Sequence, residues 1–381
     1  MKHLMYLMLT FVLSFHLAFG QYETKGQAKT GSFVYEQAGE VVKVKPLKGK
    51  KVKNVILMIG DGMGLSQVSA AWIANRGQLN IDNFTYTGFS RTWCANRLIT
   101  DSGAAGSAMA TGRKTNYHHL AVDSLGNPLN SLTDLAHAAG LKTGIVVTCN
   151  LSDATPAAFC ANNSDRDLEE AIAADYLNCR VDYIFGGGRD QFNNRRDKRD
   201  LMAEMQQQAY QVCTSWDETR QIKQGKVFSV PEEGQLPLAR ERGDLFSQAC
   251  LHAIDILNRD KKGFFAMFEG SRIDDCGHWN DLPRLIEEVL DFDRTVGQVM
   301  KWAEKDKNTL VIVLADHETG GLSILGGDLE TGSVTGTFST DDHSGILVPV
   351  YAYGPGADSF TGIYENTEIF RKIVNLLNLK E

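Results

Sequence analysis

Short runs of apolar residues recur along the chain, and each run ends at glycines or acidic residues. The runs lie at 52–59, 142–148, 181–185, 263–268 and 309–314. Continuous apolar stretches of this length are typical of strands buried on both faces, as in parallel sheets. Amphipathic segments alternate with the runs and predict helices at 65–74, 131–139, 245–257, 282–304 and 369–377. The pattern therefore predicts an α/β fold with a largely parallel sheet.

Two further segments modify this picture. An apolar run at 346–353 contains Pro349, which cannot donate a backbone hydrogen bond and therefore predicts an edge strand. Residues 189–245 are more polar and lack runs of comparable strength, so they predict a helical insertion beside the site. With 381 residues the chain is long enough for one large domain or two ordinary ones. We interpret 21–381 as a single domain that carries this insertion.

The first twenty residues, 1–20, have a basic start and an apolar run, and they end in the small-residue pattern Ala18-Phe19-Gly20. They predict a signal peptide, with a short membrane anchor as the alternative. We expect an exported protein, periplasmic or extracellular, without a stable membrane anchor. The net charge of −8 at pH 7 argues against a nucleic-acid-binding face. The seven cysteines form no C-x-x-C pair, and the sequence leaves their disulfide pairing open.

Candidate chemistry begins in the stretch Thr100–Lys114, where Ser102 follows Asp101 and precedes a run of glycine and alanine. Small residues allow close backbone approach, and a helix N-terminus attracts anions. Ser102 is therefore a candidate nucleophile at an anion-binding helix N-terminus, although serine is also common as a helix cap. The chain contains no G-x-S-x-G motif, so a hydrolase triad of that type is unsupported.

Acidic residues follow several of the predicted strands. Asp61 lies in a Gly-rich loop that differs from a dinucleotide fingerprint, because Leu65 stands where the last glycine is needed. We interpret Asp61 as a metal ligand, because open α/β sheets place their sites at this edge. Asp153 and Thr155 follow the second run, and their oxygens suit a hard cation such as Mg²⁺, with a polar turn as the alternative.

The densest group of candidate ligands follows the run at 263–268. Glu269 and Asp274 lie on either side of a turn, and His278 comes four residues after Asp274. On a helical turn this spacing puts Asp274 and His278 on one face, which is typical of a zinc site. Further candidate ligands stand after the next run and before the last one, namely Asp316, His317 and His343.

Taken together, these motifs resemble the alkaline phosphatase family over most of the chain. They occur in family order as IGDGMG, TDSGAAGSAMATG, DATPAA followed by Arg166, FEGSRIDDCGH, ADHETGG and DDHSG. The resemblance implies a three-layer α/β/α fold with a largely parallel central sheet and the active site at the carboxyl ends of its strands. It also implies a homodimer that holds two Zn²⁺ and one Mg²⁺. The implied activity is hydrolysis of phosphate monoesters to alcohol and inorganic phosphate through a phosphoserine intermediate.

The resemblance implies a role for each candidate residue. Ser102 would be the nucleophile and would contact a zinc ion, Arg166 would hold the phosphoryl oxygens, and Asp101 would orient Arg166. The ligands of one zinc ion would be Asp274, His278 and His343. The ligands of the other would be Asp61, Asp316 and His317. The Mg²⁺ ligands would be Asp61, Thr155 and Glu269, with Asp153 a further candidate at this site.

Asp275 departs from the resemblance, because well-known members carry lysine or histidine at this position. The exchange replaces a positive charge beside a zinc ligand by a negative one, and we expect weaker binding of the phosphate product. Two other functions remain open: a phosphodiesterase of the same superfamily, and a phosphate- or zinc-binding protein without turnover. Arg166 and the complete third metal set favour a monoesterase, and Ser102 favours catalysis over binding alone.

Overall fold

The computed structural model describes residues 29–47 and 51–380. Its strands are β1 (Lys29–Val34), β2 (Asn54–Gly60), β3 (Tyr86–Arg91), β4 (Lys142–Asn150), β5 (Tyr183–Gly187), β6 (Tyr210–Cys213), β7 (Lys226–Ser229), β8 (Phe264–Gly270), β9 (Thr309–Leu314), β10 (Glu318–Thr319), β11 (Leu322–Asp328), β12 (Ser333–Phe338), β13 (His343–Ser344), β14 (Val348–Tyr353) and β15 (Gly362–Glu365).

The helices of the described residues alternate with these strands. They are α1 (Leu65–Ala74), α2 (Ser102–Thr111), α3 (Leu132–Ala138), α4 (Ala154–Ala157), α5 (Glu169–Asp175), α6 (Asp190–Asn193), α7 (Leu201–Gln207), α8 (Trp216–Thr219), α9 (Ala239–Arg242), α10 (Leu245–Leu257), α11 (Arg272–His278), α12 (Leu282–Asp306) and α13 (Thr367–Leu377). Two 3₁₀ turns lie at Asn80–Asn83 and Ala357–Phe360.

Ten strands form the central sheet, in the order β15-β3-β14-β9-β2-β8-β4-β5-β7-β6. Strand β14 runs antiparallel to both of its neighbours, β3 and β9. The remaining neighbouring pairs of this sheet are parallel. The predicted α/β fold with a largely parallel central sheet is therefore confirmed.

Helices cover both faces of the sheet, as the alternation of side chains along β2 illustrates. Ile56 and Met58 belong to a buried apolar cluster with residues of α1, α10 and α12. Val55, Leu57 and Ile59 point the other way, into a second cluster with residues of α2, α3 and α13. Because both faces of the strand are buried, its sequence is a continuous apolar run. The helices on the two faces and the sheet between them form three layers.

The prediction of an edge strand around Pro349 was wrong. Strand β14 lies inside the sheet, between β3 and β9. Its pairing with β9 begins only at Val350, so Pro349 lies beyond the end of that ladder and opposes Phe89 of β3. The missing N–H of proline therefore leaves the ladder with β9 intact, which allows proline in an interior strand.

Residues 189–245 form four short helices, α6 to α9, and the strands β6 and β7. Strand β7 pairs with β5, and β6 pairs with β7, so this segment completes one edge of the central sheet. Each of the two strands has only four residues, which is too short to stand out as an apolar run. The assignment of 189–245 as an insertion within one domain stays a prediction.

Two smaller sheets lie outside the central one. Strand β1 pairs with β12, which pairs with β11, and β10 pairs with β13. The predicted signal peptide, 1–20, lies outside the described residues. Within 29–47 and 51–380, no helix combines the length and the apolar character that crossing a membrane requires.

Candidate active site

Four neighbouring strands in the middle of the sheet, β9, β2, β8 and β4, are mutually parallel. Their carboxyl ends therefore meet at one edge of the sheet. The candidate ligands at these ends are Asp316 after β9, Asp61 after β2, Glu269 within β8, and Asp153 and Thr155 after β4. Residues that are distant in sequence are thus gathered at the edge where open α/β sheets place their sites.

Ser102 is the first residue of α2, and Asp101 caps that helix. The Asp101 carboxylate accepts hydrogen bonds from the backbone N–H groups of Gly103 at 3.1 Å and Ala104 at 3.2 Å. The Ser102 side chain is buried, and its Oγ lies 3.2 Å from Nε2 of His317. A Cβ atom on Gly103 would lie 2.9 Å from the Asp101 carboxylate, so a small residue is required beside the cap.

Asp274, His278 and His343 form one cluster of candidate ligands. The Asp274 carboxylate lies 3.1 Å from Nε2 of His278 and 3.5 Å from Nε2 of His343. The two Nε2 atoms are 3.2 Å apart. Nδ1 of His278 donates to the carbonyl of Asp341, and Nδ1 of His343 donates to the carbonyl of Thr100. Since carbonyls only accept, both rings keep Nε2 for a metal ion.

Asp61, Asp316 and His317 form a second cluster beside the first. Nε2 of His317 lies 3.1 Å from the Asp316 carboxylate and 3.5 Å from that of Asp61. The imidazole rings of His317 and His343 stack with their centres 3.6 Å apart, so the two clusters adjoin. Asp274 also lies within ligand distance of Asp61 and His317.

The donor atoms of these residues fit cations. Buried oxygens without a hydrogen-bond partner in the described chain include Asp61 Oδ1, Thr155 Oγ1, Glu269 Oε1 and Asp316 Oδ2. Burying such oxygens without a partner is costly, and a bound cation would satisfy them. Carboxylate and imidazole donors suit zinc, and the hydroxyl and carboxylate oxygens near Thr155 suit magnesium.

The electrostatics of the site agree with this fit. Burial and the charge of Asp316 raise the pKa of Asp61 well above its usual range. Burial and the charge of Asp153 also raise the pKa of Glu269 well above its usual range. Burial alone would lower the pKa of His278, but its contact with Asp274 outweighs burial and raises it to about 9. Crowded, buried carboxylates of this kind are characteristic of functional sites.

Arg166 lies between two carboxylates at the edge of the site. Its NH1 is 3.1 Å from Asp101 Oδ2, and its NH2 is 3.1 Å from Asp153 Oδ1. Burial would lower the pKa of Arg166, but Asp153 and Asp101 outweigh it and raise the pKa. Asp153 also accepts a hydrogen bond from the N–H of Ala154 at the start of α4. The guanidinium is thus held beside α2, where it can bind an anion.

Comparisons with known proteins identify the family to which this arrangement belongs. The family model described as alkaline phosphatase matches residues 52–336 of the chain. The chain belongs to the alkaline phosphatase family. It is 31% identical to alkaline phosphatase 4 of Bacillus subtilis, over 90% of this chain and 92% of the relative.

Solved structures of alkaline phosphatases have the same fold. The alkaline phosphatase from the Antarctic bacterium TAB5 superposes with a TM-score of 0.83 at 37% identity, covering 87% of this chain and all of that one. A variant of the same enzyme with Mg bound in its M3 site also superposes with a TM-score of 0.83, at 36% identity and 88% coverage. This alkaline phosphatase is therefore a phosphomonoester hydrolase, and its family membership implies dependence on metal ions.

Two residues of the site were given no role from the sequence. Glu318 and Thr319 stand in the ADHETGG motif directly after His317, and both are buried. The Thr319 hydroxyl donates to Asp274, and the Ser344 hydroxyl donates to Glu318. Neither residue type is distinctive in a loop, and only the folded chain brings Thr319 against the candidate ligands and Glu318 against Ser344, the neighbour of His343.

Proposed function

We propose that this alkaline phosphatase cleaves phosphate monoesters through a phosphoserine on Ser102. The observation that carries the proposal is the 3.2 Å approach of Ser102 Oγ to Nε2 of His317, beside the buried oxygens of Asp61 and Asp316 that lack hydrogen-bond partners. A nucleophile at the N-terminus of a helix and next to metal-type ligands suits attack on an anionic phosphoryl group. Asp101 already caps this helix, so a purely structural serine at its first position would have no need of these neighbours.

The residues would hold two zinc ions and one magnesium ion. Asp274, His278 and His343 would hold one zinc ion. Asp61, Asp316 and His317 would hold the other, beside Ser102. Asp61, Thr155 and Glu269, with Asp153 nearby, would hold magnesium. Bound metal ions would supply positive charge that activates an oxygen nucleophile and stabilises charge on the attacking and leaving oxygens.

In the proposed reaction, Ser102 attacks phosphorus, water hydrolyses the phosphoserine, and Arg166 and Asp101 position the phosphoryl group. Ser102 Oγ forms a bond to phosphorus as the bond between phosphorus and the alcohol oxygen breaks, and the proton lost by the Ser102 hydroxyl leaves on the alcohol. Water then attacks the phosphoserine, which releases inorganic phosphate and returns the hydroxyl of Ser102. Arg166 orients the phosphoryl oxygens through two N–H groups, and Asp101 keeps the guanidinium in place.

Asp275 would weaken the binding of phosphate. Its carboxylate forms an ion pair with Arg272, whose NH1 also donates to the carbonyl of Leu236 at 2.6 Å. Asp275 directly follows the candidate ligand Asp274 in α11, so its carboxylate places a negative charge close to that cluster. A phosphate ion beside Asp275 would therefore be held less strongly than beside a lysine.

We also infer that the protein is exported after removal of residues 1–20 and that it acts as a homodimer on small phosphate monoesters. The charge pattern of 1–20 supports export. N-terminal sequencing of the protein recovered outside the cytoplasm should begin near Gln21. Sedimentation at several concentrations should give the mass of two chains, and a single-chain mass would contradict the dimer.

The test compares a monoester with a diester. Purified protein supplied with Zn²⁺ and Mg²⁺ should hydrolyse p-nitrophenyl phosphate far faster than bis-p-nitrophenyl phosphate. Acid quenching with labelled substrate should leave phosphate on Ser102, and the Ser102→Ala variant should carry no label. Ser107→Ala, in the same helix, is the matched control and should still be labelled.

Each alternative has its own signature in this experiment. A faster diester reaction would identify a phosphodiesterase. Metal and phosphate binding without turnover or labelling would identify a binding protein. Metal analysis of the active protein should give two zinc ions and one magnesium ion per chain, and full activity without either metal would exclude the proposed mechanism.

A further inference from the structure

The two-residue strand β10 connects the two clusters of candidate ligands. It follows His317 directly and pairs with β13, so that Glu318 lies opposite Ser344 and Thr319 lies opposite His343. Both of its side chains are buried. None of the roles proposed above uses either residue.

Thr319 makes contacts with one ligand from each cluster. Its hydroxyl donates to Asp274 Oδ1 and lies 3.2 Å from Nδ1 of His317. A hydroxyl has only one hydrogen. Because this hydrogen is given to Asp274, Thr319 Oγ1 must accept the hydrogen carried by Nδ1 of His317. The Nε2 atom that faces Ser102 is therefore the nitrogen left for a metal ion.

His317 differs in this respect from the other two histidines. Backbone carbonyls, of Asp341 and Thr100, accept from Nδ1 of His278 and His343. For His317 the acceptor of the Nδ1 hydrogen is the side chain of Thr319, so a single substitution can remove this hydrogen bond. The same Thr319 hydroxyl also donates to Asp274, so it restrains the positions of both Asp274 and His317.

Glu318 supports the same strand from the other side. Its carboxylate accepts from Nε2 of Gln67 at 2.6 Å, from the N–H of Leu322 at 3.1 Å, and from the hydroxyl of Ser344. Ser344 follows His343 in β13. The amide of Gln67 also donates to the carbonyl of Thr319 at 2.8 Å. The side chain of Glu318 and the backbone of Thr319 are therefore both held by hydrogen bonds.

Glycines surround these two side chains, and a Cβ atom on any of three of them would collide with Thr319 or Glu318. A Cβ on Gly62 would lie 2.7 Å from Thr319 Oγ1, and a Cβ on Gly277 would lie 2.9 Å from Thr319 Cγ2. A Cβ on Gly64 would lie 2.3 Å from Glu318 Cγ. Such close packing holds Thr319 and Glu318 in one position.

We propose that Thr319 is a positioning residue that fixes the hydrogen of His317 on Nδ1 and joins His317 to Asp274, with Glu318 holding the strand in place. The inference rests on the proposed metal site. It goes beyond that site, because Thr319 would set how strongly the two clusters bind zinc without being a ligand itself. Contacts of this kind around metal ligands typically change metal affinity by 10–100-fold.

The experiment compares Thr319→Val with Thr319→Ser in the full-length protein. Valine keeps the branched shape and removes the hydroxyl, whereas serine keeps the hydroxyl. Zinc affinity is measured by competition with a chelator, and the visible spectrum of the Co²⁺-substituted protein reports the ligand geometry. We expect Thr319→Val to bind zinc about 10–100-fold more weakly with an altered Co²⁺ spectrum, and Thr319→Ser to restore both.

Thr219→Val is the matched control. Thr219 is a buried threonine of α8 whose hydroxyl contacts Ser229 of β7, near the edge of the sheet that is remote from the clusters. This variant should lose a similar amount of stability without a change in zinc affinity or spectrum. Ser344→Ala provides a second test, with weaker zinc binding expected when the contact between β10 and β13 is lost.

The outcomes separate this inference from the proposed function. If the parent protein binds two zinc ions and Thr319→Val matches it in affinity and spectrum, the positioning role is overturned and the metal site stands. If Thr319→Ser fails to restore binding, the hydroxyl is not the responsible group. If the parent protein binds no zinc, both the metal site and the positioning role are rejected.

Discussion

Arg166 is connected through Asp101 to α2, the helix that begins with Ser102. NH1 of Arg166 lies 3.1 Å from Asp101 Oδ2, and the same carboxylate caps α2, the helix that begins with Ser102. Burial would raise the pKa of Asp101, but the Arg166 guanidinium and the hydrogen bonds from the N–H groups of His118 and Ala104 together lower it, so Asp101 remains ionised. One carboxylate therefore sets the position of the Arg166 guanidinium relative to Ser102, which are the proposed anion-binding group and the proposed nucleophile.

Asp101→Ala should separate these two functions. Loss of the cap should lower the free energy of unfolding by about 1 kcal/mol. Loss of a charged hydrogen bond to Arg166 should raise KM for a monoester, and weaken inhibition by phosphate, by about tenfold. The measurements are urea unfolding and steady-state kinetics.

Asp200→Ala is the control for the cap. Asp200 caps α7 by accepting the N–H of Ala203 at 3.0 Å. This variant should lose comparable stability and keep the parent values of KM and phosphate inhibition. An Asp101→Ala enzyme with unchanged phosphate inhibition would show that Asp101 does not position Arg166.

Asp275→Lys should strengthen phosphate inhibition. The substitution removes a negative charge near Asp274 and introduces a positive one, so the inhibition constant for phosphate should fall by about tenfold. Phosphate inhibition measured at low and moderate salt tests this, since the effect should decrease with screening. Glu368→Lys, at an exposed ion pair with Arg371, is the matched charge control and should leave inhibition unchanged. Equal inhibition in Asp275→Lys and the parent protein would contradict the proposed role.

Removal of metal should destabilise the protein, because the buried carboxylates then repel one another. A ligand present at a hundred times its dissociation constant stabilises the folded state by about 2.7 kcal/mol. Chelation should therefore lower the melting temperature and abolish activity, and zinc with magnesium should restore both. Scanning calorimetry with and without chelator is the measurement.

Asp61→Asn should reduce the loss of stability that follows removal of metal. Because burial and the charge of Asp316 raise the pKa of Asp61, removing its charge should raise the melting temperature of the metal-free protein. The same variant should gain less stability from metal than the parent protein gains. Asp123→Asn is the control, because the Asp123 carboxylate accepts hydrogen bonds from the N–H groups of Leu125 and Asn127 in a turn, and removing its charge should not raise the melting temperature. A metal-free Asp61→Asn protein that melts below the metal-free parent would contradict the repulsion argument.

Gly62→Ala should disrupt the site through the backbone. Gly62 has φ of +69°, and an added Cβ would meet the Thr319 hydroxyl at 2.7 Å and the Asp274 carboxylate at 2.9 Å. We expect loss of stability of about 1–3 kcal/mol and a large decrease in kcat. Gly326→Ala, where an added Cβ meets nothing within 4 Å, should alter neither value appreciably. Activity and unfolding measured on both variants provide the test.

Much of the fold could be predicted because its cause is local. Strands buried on both faces read as continuous apolar runs, and the prediction for Thr309–Leu314 matched the observed bounds. The amphipathic pattern likewise gave the bounds of the helix Leu245–Leu257 and the approximate bounds of the helix Leu65–Ala74. Candidate ligands that directly follow such runs, such as Asp61 and Asp316, could be named for the same reason. Local pattern was insufficient for the four-residue strands β6 and β7, which need the existing sheet as a template.

The sequence by itself determined which chemical groups the chain carries and at which strand ends they stand. Only the tertiary structure decided how those groups meet. It placed Pro349 inside the sheet, set Asp153 against Arg166, and brought Thr319 to Asp274 and His317. These relationships join segments far apart in sequence, and their geometry follows from strand order and packing. Periodicity along the chain contains no information about which neighbour a side chain will finally contact.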